Sequence, residues 1–293
     1  MFSKPTSDNL SDKTSNFTKP GEKTGTSDFV SAGAEKLDNW FMQSGIDINA
    51  HSRDVNHDVN AVEKRLRAQA LNRINNLKRI GNIAKNVSIN ASSHKELDPD
   101  WFFAFLSLAE NVYSPAMQEL WGKILAVELS APGSFSLRSL ETIRLLTERD
   151  AQLFRRAVSI ASWPARSAIP RILVGYYRRR AVLEILRSQP PGQLNLSSFG
   201  LSYPDLLALI DLKLIFASEI ESSELKPDAP VTWRCGRQSY SLQAKKAGTA
   251  LVYYKLTSVG AELFRLFEKK QTDDYLTALF QLMSPAFHVE HDN

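Results

Sequence analysis

Cysteine is almost missing from this sequence. The single thiol, Cys235, permits no internal disulfide and no cysteine-built zinc cluster, since both need several thiols at close spacing. A reducing, cytoplasmic address is therefore expected. Long apolar runs are missing too, so no membrane association is expected, and the opening MFSKPTSDNLSDKTSNFTKPGEKTGTSD has no apolar centre of the kind a signal peptide needs. No Gly-x-Gly-x-x-Gly or Walker-type loop occurs, which removes the usual nucleotide cradle. Ser134 sits in PGSFS, which lacks the glycine frame of a nucleophile elbow. Among the 5 histidines, His288 and His291 stand together with Glu290 in HVEH, but without an evident third strong ligand, so no metal and no cofactor are expected.

What remains is an ordinary globular mixture. Of 293 residues, 43% are hydrophobic and 23% charged, enough for about two domains with cores of their own. The formal net charge of +4 permits an acidic partner or a nucleic acid without demanding one.

Residues 1–33 are rich in Ser, Thr, Lys, Asp, Pro and Gly and are expected to be a disordered tail, because no core would offset their ordering entropy. Residues 34–95 are expected to hold a short docking helix, where Leu37, Trp40 and Phe41 share one apolar patch, and then a long helix from about Val55 to Val87. In the long helix Leu66, Ala70, Leu77, Ile80, Ala84 and Val87 recur at the three-and-four spacing of one face. Its other faces are basic: Lys64, Arg65, Arg67, Arg73, Lys78, Arg79 and Lys85 are answered locally only by Glu63. Such a helix is either solvated along its charged faces or an arm that touches phosphates.

Residues 96–189 read as a helical bundle. Asp98 caps a helix that opens with Pro99 and carries Trp101 inward, and Ser114 with Pro115 opens the next, which holds Trp121. A turn at Pro132 and Gly133 leads to Ser136 as a third cap, and Thr147 with Asp150 makes a shortened capping box. Tight loops between short helices favour antiparallel neighbours. Glu128, near a helix C-terminus, opposes the helix dipole, so a structural ion pair with Arg138 or Arg144 is expected. Glu110 is the one other acid placed to join it in a catalytic pair.

The stretch DPDWFFAFLSLAENVYSPAMQELWGKILAVELSAPGSFSLRSLETIRLLTERDAQLF resembles a bacterial domain of unknown function. The pattern that carries the resemblance is an Asp-Pro-Asp-Trp opening, then Met-Gln-x-Leu-Trp, Ile-Leu-Ala-x-Glu and a Pro-Gly-Ser-Phe-Ser turn, over about Ala61 to Phe154. In looser outline it is similar to the Abi-alpha domain of abortive-infection proteins. That likeness implies a setting in defence against phage and implies no activity. Val127 departs from the small residue expected before Glu128.

In the C-terminal half, Tyr176 and Tyr177 stand beside Arg178, Arg179 and Arg180, aromatics and cations of the kind that grip single-stranded nucleic acid. The other reading turns the tyrosines to a core and the arginines to water. Pro190, Pro191 and Gly192 end that segment. Residues 190–270 resemble a winged-helix module, with RQSYSLQA and LVYYKLT as its two-stranded wing and a Leu-Thr-x-x-Gly step at Leu256. Its candidate recognition helix carries Asp205 and Asp211 against Lys213, which argues against base readout. Arg234, Arg237 and Lys245 would place charge on the wing instead. Residues 271–293 are expected as a C-terminal helix and tail.

The expected fold class is thus mainly α, a helical bundle with a long N-terminal helix and a C-terminal winged-helix-like α+β module. The expected function is a non-enzymatic interaction protein with an unidentified protein partner, a second copy of the chain being one such partner. One alternative is a nucleic-acid-binding regulator using Arg67, Arg73, Lys78, Tyr176, Tyr177, Arg178, Arg179, Arg180, Arg234, Arg237 and Lys245. The other is an enzyme built around Glu110 and Glu128.

Overall fold

Helix starts are set by local chemistry, and several lie where a short polar residue precedes a proline or a serine-rich turn. A computed structural model describes residues 25–49, 55–87, 96–165, 167, 169–178, 192–267 and 273–291. The chain divides into two units, Met1–Leu71 and Asn72–Asn293.

The first unit contains helix α1 (Gly25–Gln43) and the start of α2 (Val55–Asn86). The turn after α1 is tied by Ser44, whose hydroxyl donates to the Phe41 carbonyl at 2.7 Å, and by the Ile46 N–H on the same carbonyl at 2.9 Å. Asn49 reaches back to the Asp38 carboxylate at 3.2 Å. The expected disordered tail lies, up to residue 24, outside the described residues.

The second unit begins with the rest of α2 and four shorter helices: α3 (Pro99–Ala109), α4 (Pro115–Ser130), α5 (Leu137–Leu145) and α6 (Glu148–Ser159). Asp98 caps α3 by accepting the Asp100 N–H at 2.9 Å, and Thr147 with Asp150 closes a reciprocal capping box on α6. Ser114 stands at the N-cap of α4 with no side-chain cap bond. Trp101 stacks on Phe105 at 5.3 Å, and Phe105 meets Trp121 at 5.3 Å, which makes the aromatic centre of this helical layer.

A sheet follows. Its strands are β1 (Ser162–Pro164), β2 (Arg171–Arg178), β3 (Ile220–Glu221), β4 (Val231–Cys235), β5 (Gln238–Ala244), β6 (Thr249–Lys255) and β7 (Phe287–His291). They form one 7-stranded sheet in the order β3-β6-β2-β1-β4-β5-β7, with every pairing antiparallel. Helix α7 (Tyr203–Asp211) precedes β3, while α8 (Ser258–Phe264) and α9 (Asp273–Met283) lie between β6 and β7.

The sheet curls around α9. Laid flat, β2 and β7 would be four strand spacings apart, roughly 19 Å, yet the rings of Tyr176 on β2 and Phe287 on β7 meet at 5.9 Å. Helix α9 fills the hollow: the Tyr275 hydroxyl donates to the Leu173 carbonyl at 2.7 Å, and Phe280 meets Tyr240 edge-on at 5.2 Å. Tyr240 donates to the Ser162 hydroxyl at 2.8 Å on this face. Side chains alternate across a strand, so neighbouring Trp163 turns to the other face, where it meets Phe264 of α8 at 5.4 Å.

This architecture is α+β and corrects the mainly α expectation. Residues 162–164 and 171–178, read as part of a helical bundle, are strands. Their apolar run Ile172–Val174 is buried at every position, which erases the alternation that marks a half-exposed strand. The winged-helix reading is overturned by strand order. RQSYSLQA and LVYYKLT belong to β5 and β6, and β2, β1 and β4 lie between them, so they form no wing. The closing segment, read as helix and tail, contributes α9 and a strand that pairs with β5.

Candidate interaction surface

The apolar stripe of α2 has two different fates. Val59, Val62, Leu66, Ala70, Leu77, Ile80 and Ala84 share one helical face by their spacing. In the second unit this stripe is covered: Ile80 and Ala84 are buried, and buried Asn76 donates to the Glu110 carbonyl at 2.9 Å and accepts from Gln118 at 3.1 Å. In the first unit it is bare. Val62 is 58% and Leu66 60% exposed, and α1 adds Leu37, Met42 and Trp40, the last 71% exposed. Large apolar side chains this exposed are a common mark of an interaction surface.

Beside this surface lies a notch of about 380 Å³, lined by Ile46, Asp47, Ala61, Val62, Lys64 and Arg65. Gly45 makes it possible, since the backbone there has φ +79 and a Cβ would fall 2.8 Å from the Arg65 Cα. Its lining mixes apolar Ile46, Ala61 and Val62 with charged Asp47, Lys64 and Arg65.

A second polar construction holds the turn between α4 and α5. Glu128 is buried, and its carboxylate accepts the Gly133 N–H at 2.5 Å and the Phe135 N–H at 2.9 Å. Pro132 stands within this turn, and Gly133 takes φ 88. The expected ion pair with Arg138 or Arg144 is absent among the described residues: Arg144 instead faces Glu141 at 3.4 Å. Backbone amides neutralise Glu128 because the turn folds back over the helix end before any arginine can reach it. From α8, Glu262 clasps the other side of the turn, accepting the Ser136 N–H at 2.8 Å and the Ser139 hydroxyl at 2.5 Å. Its charge sits at the N-terminus of α5, where the helix dipole favours an anion.

Glu110 and Glu128 do not share a pocket. Glu110 ends α3, beside the start of α4, and approaches Arg73 at 3.6 Å. Glu128 lies near the far end of that 16-residue helix, whose length is roughly 24 Å.

The basic residues are dispersed. Arg67 belongs to the first unit and pairs with Glu63 at 2.6 Å; Arg73 and Lys78 belong to the second. Tyr176 turns its ring to Phe287, and Tyr177 is exposed beside partly buried Arg178. Arg179 and Arg180 lie outside the described residues. Arg234 and Arg237 are exposed at the β4–β5 hairpin, while Lys245 donates its ammonium to the Ser284 carbonyl at 2.6 Å.

A cavity of about 690 Å³ opens between α4, α6 and the residues after α8, lined by Met117, Leu120, Lys123, Arg155 and Phe267 among others. Lys123 pairs with Glu119 at 2.7 Å and, with Arg155, holds the Glu119 carboxyl below its ordinary range. Arg155 lies over the Phe267 ring at 5.8 Å. Among the described residues no three His, Cys, Asp or Glu side chains gather to hold a metal. His288 and His291 occupy opposite faces of β7, since their spacing is odd.

Sequence reasoning missed Glu262, because nothing local links it to a turn 126 residues earlier. It also gave α2 one uniform apolar stripe, whereas Val59, Val62 and Leu66 are uncovered. Clustering of such residues ahead of the buried Asn76 was the available signal.

No helix among the described residues is long and apolar enough to cross a membrane. No curated protein and no solved structure matches the chain. A family model does match, over residues 60–280, from the bare part of α2 through α9. On that span the chain belongs to the family described as Protein of unknown function (DUF2806).

Proposed function

We propose that this chain is a non-catalytic interaction protein, cytoplasmic, whose first unit docks a protein partner through α1 and the start of α2. One observation carries this reading: Trp40 is 71% exposed, in a unit that also leaves Leu37, Met42, Val59, Val62 and Leu66 exposed. Large exposed apolar side chains, tryptophan above all, are the usual anchors of protein interfaces. The looser likeness of the sequence to the Abi-alpha domain of abortive-infection proteins is what supports defence against phage as the biological setting.

The test is affinity capture with the full-length protein and its Trp40→Glu variant, from uninfected and phage-infected bacterial lysates. Proteins retained by the wild type and lost with the variant support docking through this surface. Identical captures by the two proteins would remove it. Labelled DNA and RNA across a salt series serve as the contrasting arm, since binding through phosphates weakens steeply with salt.

A further inference from the structure

One cation of the second unit is fixed in place with no anion to answer it. Arg171 opens β2, and its register partner on β1 is Ser162, so its side chain shares the sheet face on which Tyr240 donates to the Ser162 hydroxyl. There the guanidinium lies over the Tyr253 ring at 4.6 Å and over the Trp233 ring at 5.6 Å. Both rings are buried, which gives the cation a rigid seat. An arginine held on aromatic faces still has its N–H fork to offer an acceptor.

No acceptor comes from the described residues. The Arg171 Nε is buried without a hydrogen-bond partner, and so is the indole Nε1 of Trp233 beneath the same guanidinium. Trp101 and Trp121 also leave their indole N–H groups unpaired, but these lie in the aromatic centre of the helical layer with no cation over either ring. Lys255 stands directly opposite Arg171 on β6, its ammonium over the Phe216 ring at 5.7 Å. Like charges placed opposite one another across paired strands repel. Among the described residues no carboxylate pairs with either of them. Both cations are half-buried, so they are reachable from water yet partly withdrawn from its screening.

We propose that this end of the sheet binds a phosphate group, as the free ion or as a small monoester. Arg171 presents its N–H fork to the phosphate oxygens, Trp233 adds its indole N–H, and Lys255 supplies the second positive charge, while Tyr253 holds the guanidinium in place. Two cations without an acid match a dianion better than a singly charged carboxylate. The proposal uses residues of the second unit alone and stands independently of docking through Trp40.

Nuclear magnetic resonance of the full-length 15N-labelled protein tests this. The Trp233 indole N–H signal, identified by its loss in Trp233→Phe, is followed as inorganic phosphate, methyl phosphate or acetate is added at constant ionic strength. Inorganic phosphate or methyl phosphate is expected to move it saturably with a midpoint on the order of 1 mM, the tighter of the two naming the free ion or the monoester as the form bound. Arg171→Lys keeps the charge and loses the flat fork, so it should raise the midpoint at least about tenfold, and Lys255→Gln should raise it at least about threefold. Circular dichroism identical to the wild type shows that either variant is folded. The absence of a saturable shift in the wild type overturns the proposal, and because that titration needs no substitution it holds whatever the variants do. An equal response to acetate, or a midpoint unchanged in a folded Arg171→Lys or Lys255→Gln protein, overturns it as well.

Discussion

Glu262 accepts the backbone N–H of Ser136 at 2.8 Å across 126 positions of sequence. One carboxylate thereby fastens the N-terminus of α5 to α8, and the helical layer to the segment between β6 and β7. Replacing Glu262 with Ala leaves the Ser136 N–H without this acceptor and removes one partner of the buried Ser139 hydroxyl. The expected cost is about 1–3 kcal/mol of unfolding free energy, read as a lower urea midpoint. A double-mutant cycle with Ser139→Ala should show that the two losses are less than additive; strict additivity would mean that the contact contributes nothing.

Glu128→Gln tests the neighbouring contact. A carboxylate accepts from Gly133 and Phe135 with separate oxygens, whereas an amide offers one oxygen and turns its NH2 towards the other donor. A loss of about 1–3 kcal/mol is expected. Arg138→Ala and Arg144→Ala should each stay within about 0.5 kcal/mol of the wild type. The reverse ranking in chemical denaturation would restore an arginine as the partner of Glu128.

Gly260→Ala probes how α8 docks. A Cβ at this position would lie 2.1 Å from the Leu214 carbonyl oxygen, a backbone atom that cannot swing away. Thr257, the N-cap of α8, is tied to the same place by its N–H on the Leu214 carbonyl at 3.0 Å. The substitution should destabilise by about 1–3 kcal/mol, visible as a lower melting temperature, and an unchanged melting curve would contradict this close approach.

Cys235 should be silent in the native protein. Burial pushes its thiol up to about 11, so at pH 8 a thiol reagent should label it only after unfolding. Its titration also affects stability at alkaline pH. The folded chain holds this proton more tightly than the unfolded chain, so the contribution is complete below the ordinary thiol value of 9.0 and is lost as the pH rises towards about 11. Cys235→Ser should flatten that part of the stability profile, and rapid native labelling would show that the thiol is reachable.

Helix starts were legible in the sequence because a cap is decided within four residues, as Asp98, Ser136 and Thr147 illustrate. The sheet was not legible, since its order depends on partners far apart. Arg171 meets Lys255, and Ala244 meets Phe287, through backbone groups that every residue type carries. The winged-helix resemblance took β5 and β6 as neighbours because only four residues, Lys245 to Gly248, connect them. Curling brings their ends within reach while their edges pair elsewhere. At the clamped turn, Glu128 was recognisable as architecture from its place at a helix end, but its partners were not, because backbone donors leave no mark on composition.

The curl of the sheet also dictates the order in which the molecule can be completed. Strand β5 has a free edge until residues 287–291 have been synthesised, and the hollow behind β2 stays empty until Tyr275 arrives, 102 positions after the Leu173 carbonyl it binds. A chain emerging from the ribosome can form α3 to α6 from near neighbours, but it must hold most of its strands unsealed until residues 273–291 are made. During that interval the nascent protein has its greatest exposure to misassembly, and the closing strand ends it.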